Sequence, residues 1–576
     1  MSNSPHDKIT PSPTPSISHQ VTLSKLDTND RRMSYNERRR AALREVDEAQ
    51  FSRFHLKACL VAGVGFFTDA YDVFAITIAA TMIGIVYGRN GVLNPSQDLG
   101  LKVATPIGTL IGQLLFGRLA DVVGRKSMYG TELIIIIVGT VGQTISGQGS
   151  SFGVIVPLAI WRFIMGVGVG GDYPLSAVIT SEFAATRIRG RMMTAVFAMQ
   201  GFGYFAASLV ALVVTESYKL QIIHGPATFD AVDDCWRLLI GLGAVPAIVT
   251  LYFRLTMPET PRFTMDIERN VRQASLNVST FLTTGSQIVD PDAAVERVES
   301  PKASRRDFVR HFGQWKNGKI LLGTAYSWFA LDVAFYGLGL NTSIVLTAIG
   351  FGDSTSTNDQ LKAYQTLHNV SVGNIILSAC GLIPGYWVTF LFIDRWGRKP
   401  IQFMGYAVLT VIFACMGLGY DRMVYTTPDA KRAFVFLYCL ANFFQNFGPN
   451  TTTFIVPGEA FPTRYRSTAH GISAASGKFG AIVAQVGFAL LRKSGESSES
   501  GHFIQRVLEI FAVFMLTGFF ATFLVEETNG RTLEELSNEP QEAFISNDPG
   551  PLEVLNSGAS GPSRQAPSEN TPLLRA

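Results

Sequence analysis

Twelve apolar stretches, each long enough to cross a lipid bilayer, constrain this chain more than any other feature. A spanning helix needs about 20 predominantly apolar residues. Six such stretches lie at 56–87, 102–121, 128–148, 153–182, 192–216 and 236–256, and six more at 320–348, 368–393, 400–420, 432–456, 467–491 and 503–525. Charged residues make up only 16% of the 576 residues, against about 25% in a soluble domain. We therefore predict an all-α integral membrane protein with twelve transmembrane helices.

Polar segments divide the chain into five parts. We predict a largely disordered N-terminal tail at 1–55, six-helix halves at 56–256 and 320–525, a central loop at 257–319 and a C-terminal tail at 526–576. The tails are rich in Ser and Pro and too polar to bury a core. Because the N-terminal tail lacks the features of a cleavable signal peptide, we expect the first span to direct insertion.

Short loops rich in Arg and Lys predict the orientation of the chain in the membrane. Positive residues cluster in cytoplasmic loops. Here they follow spans 2, 4, 8 and 10, as Arg125 and Lys126, then Arg187, Arg189 and Arg191, then Arg395, Arg398 and Lys399, and finally Arg464 and Arg466. These loops, the central loop and both tails are therefore predicted to be cytoplasmic.

The remaining composition favours neither a nucleic-acid partner nor a metal or disulfide framework. The net charge is +3, and no basic tract is interleaved with aromatic residues. The five cysteines are scattered without a CxxC pair, so apolar packing is the expected role. We expect no cofactor and no enzymatic activity, because neither a metal-ligand cluster nor a catalytic triad is recognisable.

Charged motifs recur in the two halves at a nearly constant offset. Asp121 and Arg125 recur as Asp394 and Arg398, Glu182 and Arg187 as Glu459 and Arg464, and Glu259 and Thr260 as Glu527 and Thr528. A duplicated six-helix unit explains these matches, and such repeats hold a central site near the midplane. We expect Asp121 and Arg125 to pair across a tight turn and to latch neighbouring helices in one of two rocking states. Charge that only sets topology is the alternative.

Charged residues at membrane depth are the candidate functional residues. A carboxylate there costs roughly 3 kcal/mol on insertion scales, so it is expected to be paired, solvated or functional. The predicted spans contain Asp69, Asp72, Arg162, Asp172, Asp332 and Lys478. Because four acids accompany two bases, at least two carboxyls are expected to bind protons or to be partnered by substrate or water. Arg162 either binds an anion or pairs with an acid.

One face of the seventh span suits an inorganic anion that carries hydroxyl groups. Trp328, Asp332 and Tyr336 are spaced four residues apart and project from one side of a helix. They offer an indole N–H, a carboxylate and a phenol hydroxyl. Dihydrogen phosphate has both donors and acceptors, whereas sulfate has no donors and would be repelled by ionised Asp332.

Local motifs identify a family resemblance over about residues 40–535. The chain resembles the major facilitator superfamily in Gly117-Arg-Leu-Ala-Asp121-Val-Val-Gly124-Arg125-Lys126 and in Pro258-Glu259-Thr260-Pro261-Arg262. It resembles the phosphate:proton symporters of fungi and plants in Gly170-Gly171-Asp172-Tyr173-Pro174, in Phe447-Gly448-Pro449-Asn450 and in His470-Gly471 with Lys478. The resemblance implies that phosphate is held by Tyr173, Gln200, Trp328, Asp332, Tyr336 and Asn450, and that Lys478 interacts with Asp332.

The predicted function is proton-coupled symport of dihydrogen phosphate into the cell by alternating access. Asp69, Asp72 and Asp172 are the predicted proton-coupling residues. Two alternatives stay open: transport of a glycerophosphodiester or another organic anion, and a phosphate receptor that does not transport. The resemblance implies a plasma-membrane location. Glu569, Leu573 and Leu574 match an acidic dileucine pattern that sorting machinery reads, so an endosomal or vacuolar membrane is the alternative.

Overall fold

The computed structural model describes residues 43–89, 91–148, 153–225, 228–257, 259–266, 304–349, 358–495 and 502–537. Its principal helices before the central loop are α1 (Arg53–Tyr87), α2 (Pro95–Val123), α3 (Thr131–Thr144), α4 (Ile155–Phe183), α5 (Arg189–Ser217), α6 (Thr228–Gly241) and α7 (Ala244–Leu255). Those after it are α8 (Trp315–Gly339), α9 (Asp359–Leu377), α10 (Ile383–Trp396), α11 (Arg398–Leu418), α12 (Pro428–Asn446), α13 (Pro449–Ala460), α14 (Arg466–Gly495) and α15 (His502–Ala521). The sorting residues Glu569, Leu573 and Leu574 lie outside the described residues.

The helices follow the predicted spans, with differences at the ends. Within the described ranges, ten helical segments are long and apolar enough to cross a membrane. The helix α3 has 14 residues, and the tenth predicted span is divided into α12 and α13. The helix α2 begins at Pro95, seven residues before the predicted span, because proline is favoured in the first turn of a helix and Asp98 suits its positive end. Apolarity alone could not detect this polar first turn.

Several of the spans are interrupted. A π-helical turn at Ser378–Leu382 joins α9 to α10, and Phe447 and Gly448 separate α12 from α13. Pro449 begins α13 and has no N–H to donate, so the helical hydrogen bonding breaks there. The hydroxyls of Thr389 and Thr451 each donate to the carbonyl of Asn446 at 2.8 Å. They satisfy an acceptor that the break leaves open, close to the centre of the molecule.

The helices α2 and α4 pack at very short range through glycine. A Cβ atom on Gly108 or Gly112 would press against the carbonyl oxygens of Phe163 or Val167 on α4. A Cβ atom on Gly166 would likewise meet the carbonyl of Thr105 on α2. Small residues of this kind allow membrane helices to approach closely. The glycines at this contact therefore serve helix packing.

The helices before and after the central loop meet at both ends of the molecule. We call the end with Asp121 and Asp394 the motif end and the other the opposite end. At the motif end, Arg125 donates to the carbonyl of Thr463 at 2.7 Å. At the opposite end, Tyr204 donates to Asn374 at 2.7 Å. Contacts between the two sets of helices therefore occur on both sides of the centre. The division into two six-helix halves stays a prediction.

Candidate functional site

Four helices bring the six predicted phosphate-binding residues together. Tyr173 lies on α4, Gln200 on α5, Asn450 on α13, and Trp328, Asp332 and Tyr336 on α8. All six are at least 95% buried. With Tyr386 on α10 and Lys478 on α14, they form what we call the central polar cluster.

Hydrogen bonds link the cluster from one side to the other. Gln200 Nε2 donates to Tyr173 Oη at 2.7 Å, and the hydroxyls of Tyr173 and Tyr336 are 3.5 Å apart. Tyr386 Oη donates to Gln200 Oε1 at 3.4 Å, while Asn450 Nδ2 donates to Tyr386 Oη at 2.9 Å. The side chains satisfy one another, so an incoming anion would have to replace some of these contacts.

Asp332 and Lys478 form a buried ion pair within the cluster. Lys478 Nζ donates to Asp332 Oδ2 at 2.8 Å. The ammonium also lies 4.3 Å from the ring centroid of Tyr336 and 5.0 Å from that of Tyr173. Cation–π contacts of this kind hold the ammonium without neutralising it. The cluster therefore offers one cation, several hydroxyl and amide donors, and one carboxylate acceptor.

Aromatic rings enclose the cluster on the side of α1. Phe66 packs edge-on against Tyr173 at 5.1 Å, and Phe197 stacks on Phe454 at 4.3 Å. Trp328 meets the ring of His470 at 5.5 Å. These contacts exclude water, and charges interact more strongly where water is excluded.

Asp172 is paired, which is one of the outcomes expected for a carboxylate at membrane depth. Its Oδ2 accepts from Arg254 NH2 at 2.7 Å, and its Oδ1 accepts from Ser176 at 2.5 Å. Arg254 NH1 also donates to Glu132 at 2.8 Å. Gly65 on α1 makes room for this guanidinium, since a Cβ atom there would overlap it. We call Asp69, Glu132, Asp172 and Arg254 the acid cluster.

Asp69 has a different environment from that of Asp172. Among the described residues, no basic, amide or hydroxyl group donates to either of its carboxylate oxygens, and the carboxyl of Asp172 lies beside it. Its strongest electrostatic neighbours are Asp172, a second acid, and Arg254. The acid cluster therefore contains three carboxyls and one guanidinium, all buried. Four acids and two bases were predicted at membrane depth. That count was too low, because Glu132 and Arg254 are also buried charged residues of the predicted spans.

Asp72 and Arg162 lie in a second polar group away from the central polar cluster. Thr140 donates to Asp72 Oδ2 at 2.8 Å. Arg162 donates to the carbonyl of Leu101 at 2.9 Å and to Gln143 at 3.3 Å. In the described part of the chain Arg162 forms no direct ion pair with an acid, although Asp72 interacts with it electrostatically. The geometry does not place Arg162 among the predicted phosphate ligands.

The recurring motifs build nearly the same structure twice at the motif end. Arg125 lies 3.3 Å from Asp121 and 3.4 Å from Glu182, whose carboxylate also accepts from Thr260 at 2.5 Å. In the second copy, Arg398 pairs with Asp394 at 3.1 Å and with Glu459 at 2.8 Å, and Thr528 donates to Glu459 at 2.5 Å. The intervening glycines, Gly124 and Gly397, have φ values of 117° and 90°, where a side chain would be strained.

Each motif aspartate also contacts the first turn of a helix from the other copy. Asp121 accepts from the backbone N–H of Ser467 at 3.2 Å and of Thr468 at 2.7 Å, at the start of α14. Asp394 accepts from the backbone N–H of Arg191 at 3.1 Å, at the start of α5. A carboxylate is favourable at this positive helix end. These contacts link helices before the central loop with helices after it.

Two residues predicted for the motif end do not contribute as expected. Arg187 is exposed, and Arg466 takes the expected position beside Glu182 at 2.8 Å. Arg464 lies 3.2 Å from Asp307 rather than beside Glu459. Matching by offset aligned the loops correctly, but an offset cannot determine which of several nearby arginines turns inward.

Comparison with known proteins shows to which family this chain belongs. Residues 58–539 match the family described as sugar (and other) transporters. The chain belongs to that family. Among relatives of this transporter, the repressible high-affinity phosphate permease of Neurospora crassa is 49% identical over 522 residues, which cover 88% of this chain and 90% of the relative. The inorganic phosphate transporter PHO84 of Saccharomyces cerevisiae is 47% identical, over 87% of each chain.

Solved structures show that the transporter has the major facilitator superfamily fold. A proton:xylose symporter of that superfamily, XylE bound to 6-bromo-6-deoxy-D-glucose, matches with a TM-score of 0.64 at 20% identity. The match covers 84% of this chain and 98% of XylE. The predicted fold class is confirmed, and the transporter is a multi-pass membrane protein.

Three residues of the two clusters in this transporter were not among the predicted site residues. Arg254 and Glu132 lie within predicted spans, and a complete census of charges would have found them. Tyr386 has no such signal, because tyrosines are common in apolar spans. Its position becomes visible only when α10 is placed against α5 and α13.

Proposed function

We propose that this transporter carries inorganic phosphate, as dihydrogen phosphate, into the cell together with protons by alternating access. The central polar cluster carries the proposal, because its donors surround a single buried carboxylate that pairs with a single lysine. Relatives named as phosphate permeases or phosphate transporters support it over most of the chain. The residues of the central polar cluster, taken by themselves, would also permit an organic phosphate as substrate.

Phosphate would enter by replacing contacts within the cluster. Lys478 and the amides of Gln200 and Asn450 can donate to phosphate oxygens, while Asp332 can accept from a phosphate hydroxyl. The anion would draw Lys478 away from Asp332 and would occupy donors that Tyr173 and Tyr386 now use. Sulfate could not supply the hydroxyl donor and would leave Asp332 unpaired.

The acid cluster supports a role in proton coupling. Three ionised carboxylates beside one guanidinium would leave a large uncompensated charge in a buried site, which is costly. A proton on Asp69 removes part of this charge, and Asp172 shares Arg254 with Glu132. Tyr173 follows Asp172 on α4, so proton movement in the acid cluster can affect the phosphate contacts directly. Asp72, beside Thr140, is a further proposed proton site.

The motif end is proposed to face the cytoplasm, with both termini on that side, because the basic loops cluster there. Rocking would open this end by breaking the contacts of Asp121 and Asp394, and would open the other by parting contacts such as Tyr204 with Asn374. The plasma membrane is the proposed location. An endosomal or vacuolar membrane remains the alternative if sorting machinery binds at Glu569, Leu573 and Leu574.

Uptake into proteoliposomes with an imposed pH gradient tests the function. The wild type should accumulate labelled phosphate only when protons can flow inward. Asp172→Asn should abolish this pH-driven accumulation, because the proton step loses its carboxyl. Asp230→Asn, an exposed acid at the start of α6, is the matched control.

Three outcomes would contradict the proposal. If Asp172→Asn kept the uptake rate and pH dependence of the control, the coupling role would be wrong. Strong competition by glycerophosphoinositol, with weak competition by phosphate, would favour an organic phosphate as substrate. Binding without accumulation would indicate a receptor.

A further inference from the structure

A chain of polar side chains connects the opposite end of the molecule with the central polar cluster. Lys102 on α2 donates to Asp98 Oδ2 at 2.8 Å and to Asn341 Oδ1 at 3.0 Å. Asn341, which follows α8, donates to Gln485 Oε1 at 3.0 Å. Gln485 in turn donates from Nε2 to the carbonyl of Tyr336 at 2.7 Å. Tyr336, a residue of the central polar cluster, is thus linked by hydrogen bonds to Lys102 at the opposite end.

A second base lies at the same position. Arg492 NH1, on α14, is 3.8 Å from Asp98 Oδ2, the oxygen that Lys102 also contacts. Lys102 is 4% exposed, Asp98 15% and Arg492 21%. These three side chains line one small pocket together with Asn341 and Gln485. Two bases therefore share one acid in a largely buried place.

This surplus of positive charge is unusual for a contact that only closes a gate. A lock between helices needs one acid for each base, because a buried charge without a counter-charge is costly. Within the ranges that the structure describes, the second positive charge has no acid of its own and meets neutral oxygens, such as that of Asn341. Such a site has an intrinsic preference for an additional anion.

Opening the opposite end would expose the two bases. Lys102 and Asp98 lie on α2, whereas Asn341 and Arg492 belong to the helices after the central loop. Separation of these elements removes Asn341 from Lys102 and moves Arg492 away from Asp98. Each base then loses an oxygen partner as solvent enters at the opposite end.

We propose that Lys102 and Arg492 form an outer binding site for inorganic phosphate, which the anion occupies before it reaches the central polar cluster. The inference rests on the proposed function and on the opposite end facing outward. Phosphate oxygens replace Asn341 on Lys102 and Asp98 on Arg492. Because Asn341 holds Gln485, and Gln485 holds the carbonyl of Tyr336, the same series of hydrogen bonds connects the outer site with the central polar cluster.

Initial rates of uptake at varied external phosphate test this site in full-length protein in proteoliposomes. Lys102→Gln and Arg492→Gln should each raise KM for phosphate about fivefold, as expected for loss of one charge contact in a wet site. The kcat should stay close to that of wild type. The dependence of KM on ionic strength should weaken, because fewer charges attract the anion. Lys102→Arg, which keeps the charge, should restore KM.

Lys493→Gln is the matched control, because Lys493 follows Arg492 on α14 and is exposed. If both glutamine variants matched this control in KM and in salt dependence, the outer site would be refuted while the proposed function stood. A fall in kcat with unchanged KM would also refute it and would assign Lys102 to the lock alone. A wild type that fails to accumulate phosphate would refute the proposed function and this inference together.

Discussion

Tyr386 occupies a position that joins three helices through one hydroxyl group. The hydroxyl donates to Gln200 on α5 and accepts from Asn450 on α13, while its own helix is α10. Its ring also packs edge-on against Phe197 at 5.8 Å. Removing only the hydroxyl would keep this packing and would release both amides from their common partner.

We therefore predict that Tyr386→Phe raises KM for phosphate about threefold to tenfold, because the two amides lose the hydroxyl that orients them and hydrogen bonds contribute about 1 kcal/mol. Initial-rate uptake under a fixed pH gradient measures it. Tyr252→Phe is the control, because Tyr252 is 69% exposed. A KM equal to that of the control would place Tyr386 outside the binding site.

The charged and aromatic pattern of the sequence predicted much of this site at the level of residues. The spacing of Trp328, Asp332 and Tyr336 fixed their common face, and the family resemblance indicated Lys478 as the partner of Asp332. The pairing of Asp172 with Arg254 spans 82 residues. No local periodicity encodes such a contact, because it depends on how α4 and α7 are placed.

At the level of elements, the α2–α4 contact depends on the absence of side chains. Gly112→Ala would press a methyl group against the backbone of Val167, with the carbonyl carbon at 2.9 Å. We expect this variant to lose about 1–3 kcal/mol of stability, because backbone cannot move aside as a flexible side chain can. Thermal unfolding in detergent measures the loss.

Gly100→Ala is the matched control on the same helix. A Cβ atom on Gly100 would meet nothing within 4 Å. Alanine is the better helix former, so this variant should gain about 0.5–1 kcal/mol. Equal melting temperatures for the two variants would show that α2 and α4 do not pack as described.

The interrupted helices illustrate what the sequence predicted less well. The apolar stretch at 432–456 indicated one span, yet Pro449 begins a new helix within it. The proline is visible in the sequence. The way in which the break is stabilised is not visible there, because it depends on the hydroxyls of Thr389 and Thr451. The first of these comes from a different helix, α10.

At the scale of the whole molecule, Arg262 ties together segments that are distant in the sequence. It pairs with Glu534 at 2.9 Å, near the end of the described chain, and with Asp47 at 2.8 Å, before α1. It also donates to the carbonyl of Glu182 at 2.7 Å. Burial acts to raise the pKa of Glu534, but the guanidinium groups of Arg262 and Arg466, together with hydrogen bonds to the carboxylate, outweigh burial and bring that pKa down to about 2.

The depressed pKa predicts how stability depends on pH. Glu534 contributes stability above its ordinary pKa of 4.5, and this contribution is lost only as pH falls toward the folded value. Glu534→Gln should therefore cost about 1–3 kcal/mol near neutral pH and the same amount in mild acid above that ordinary value. Thermal unfolding at the two pH values measures it.

Asp429→Asn is the control, because its pair with Arg432 leaves the aspartate side chain 87% exposed. This control should melt at the wild-type temperature. A loss in Glu534→Gln that disappears on mild acidification would contradict the prediction, since it would mean that Glu534 takes up a proton in that range.

The surplus of carboxyls in the acid cluster has an electrical consequence. Glu132 and Asp172 share one arginine, and the carboxyl of Asp69 lies beside that of Asp172, so three carboxyls against one guanidinium leave room for two protons. One proton per dihydrogen phosphate makes each cycle electrically silent. A second makes each cycle carry a net positive charge inward, and a membrane voltage of about 100 mV then contributes about 2.3 kcal/mol for each phosphate moved. Under the proposed function, the single guanidinium thus sets how many protons can enter with each phosphate. That number determines how much the membrane voltage contributes to accumulation.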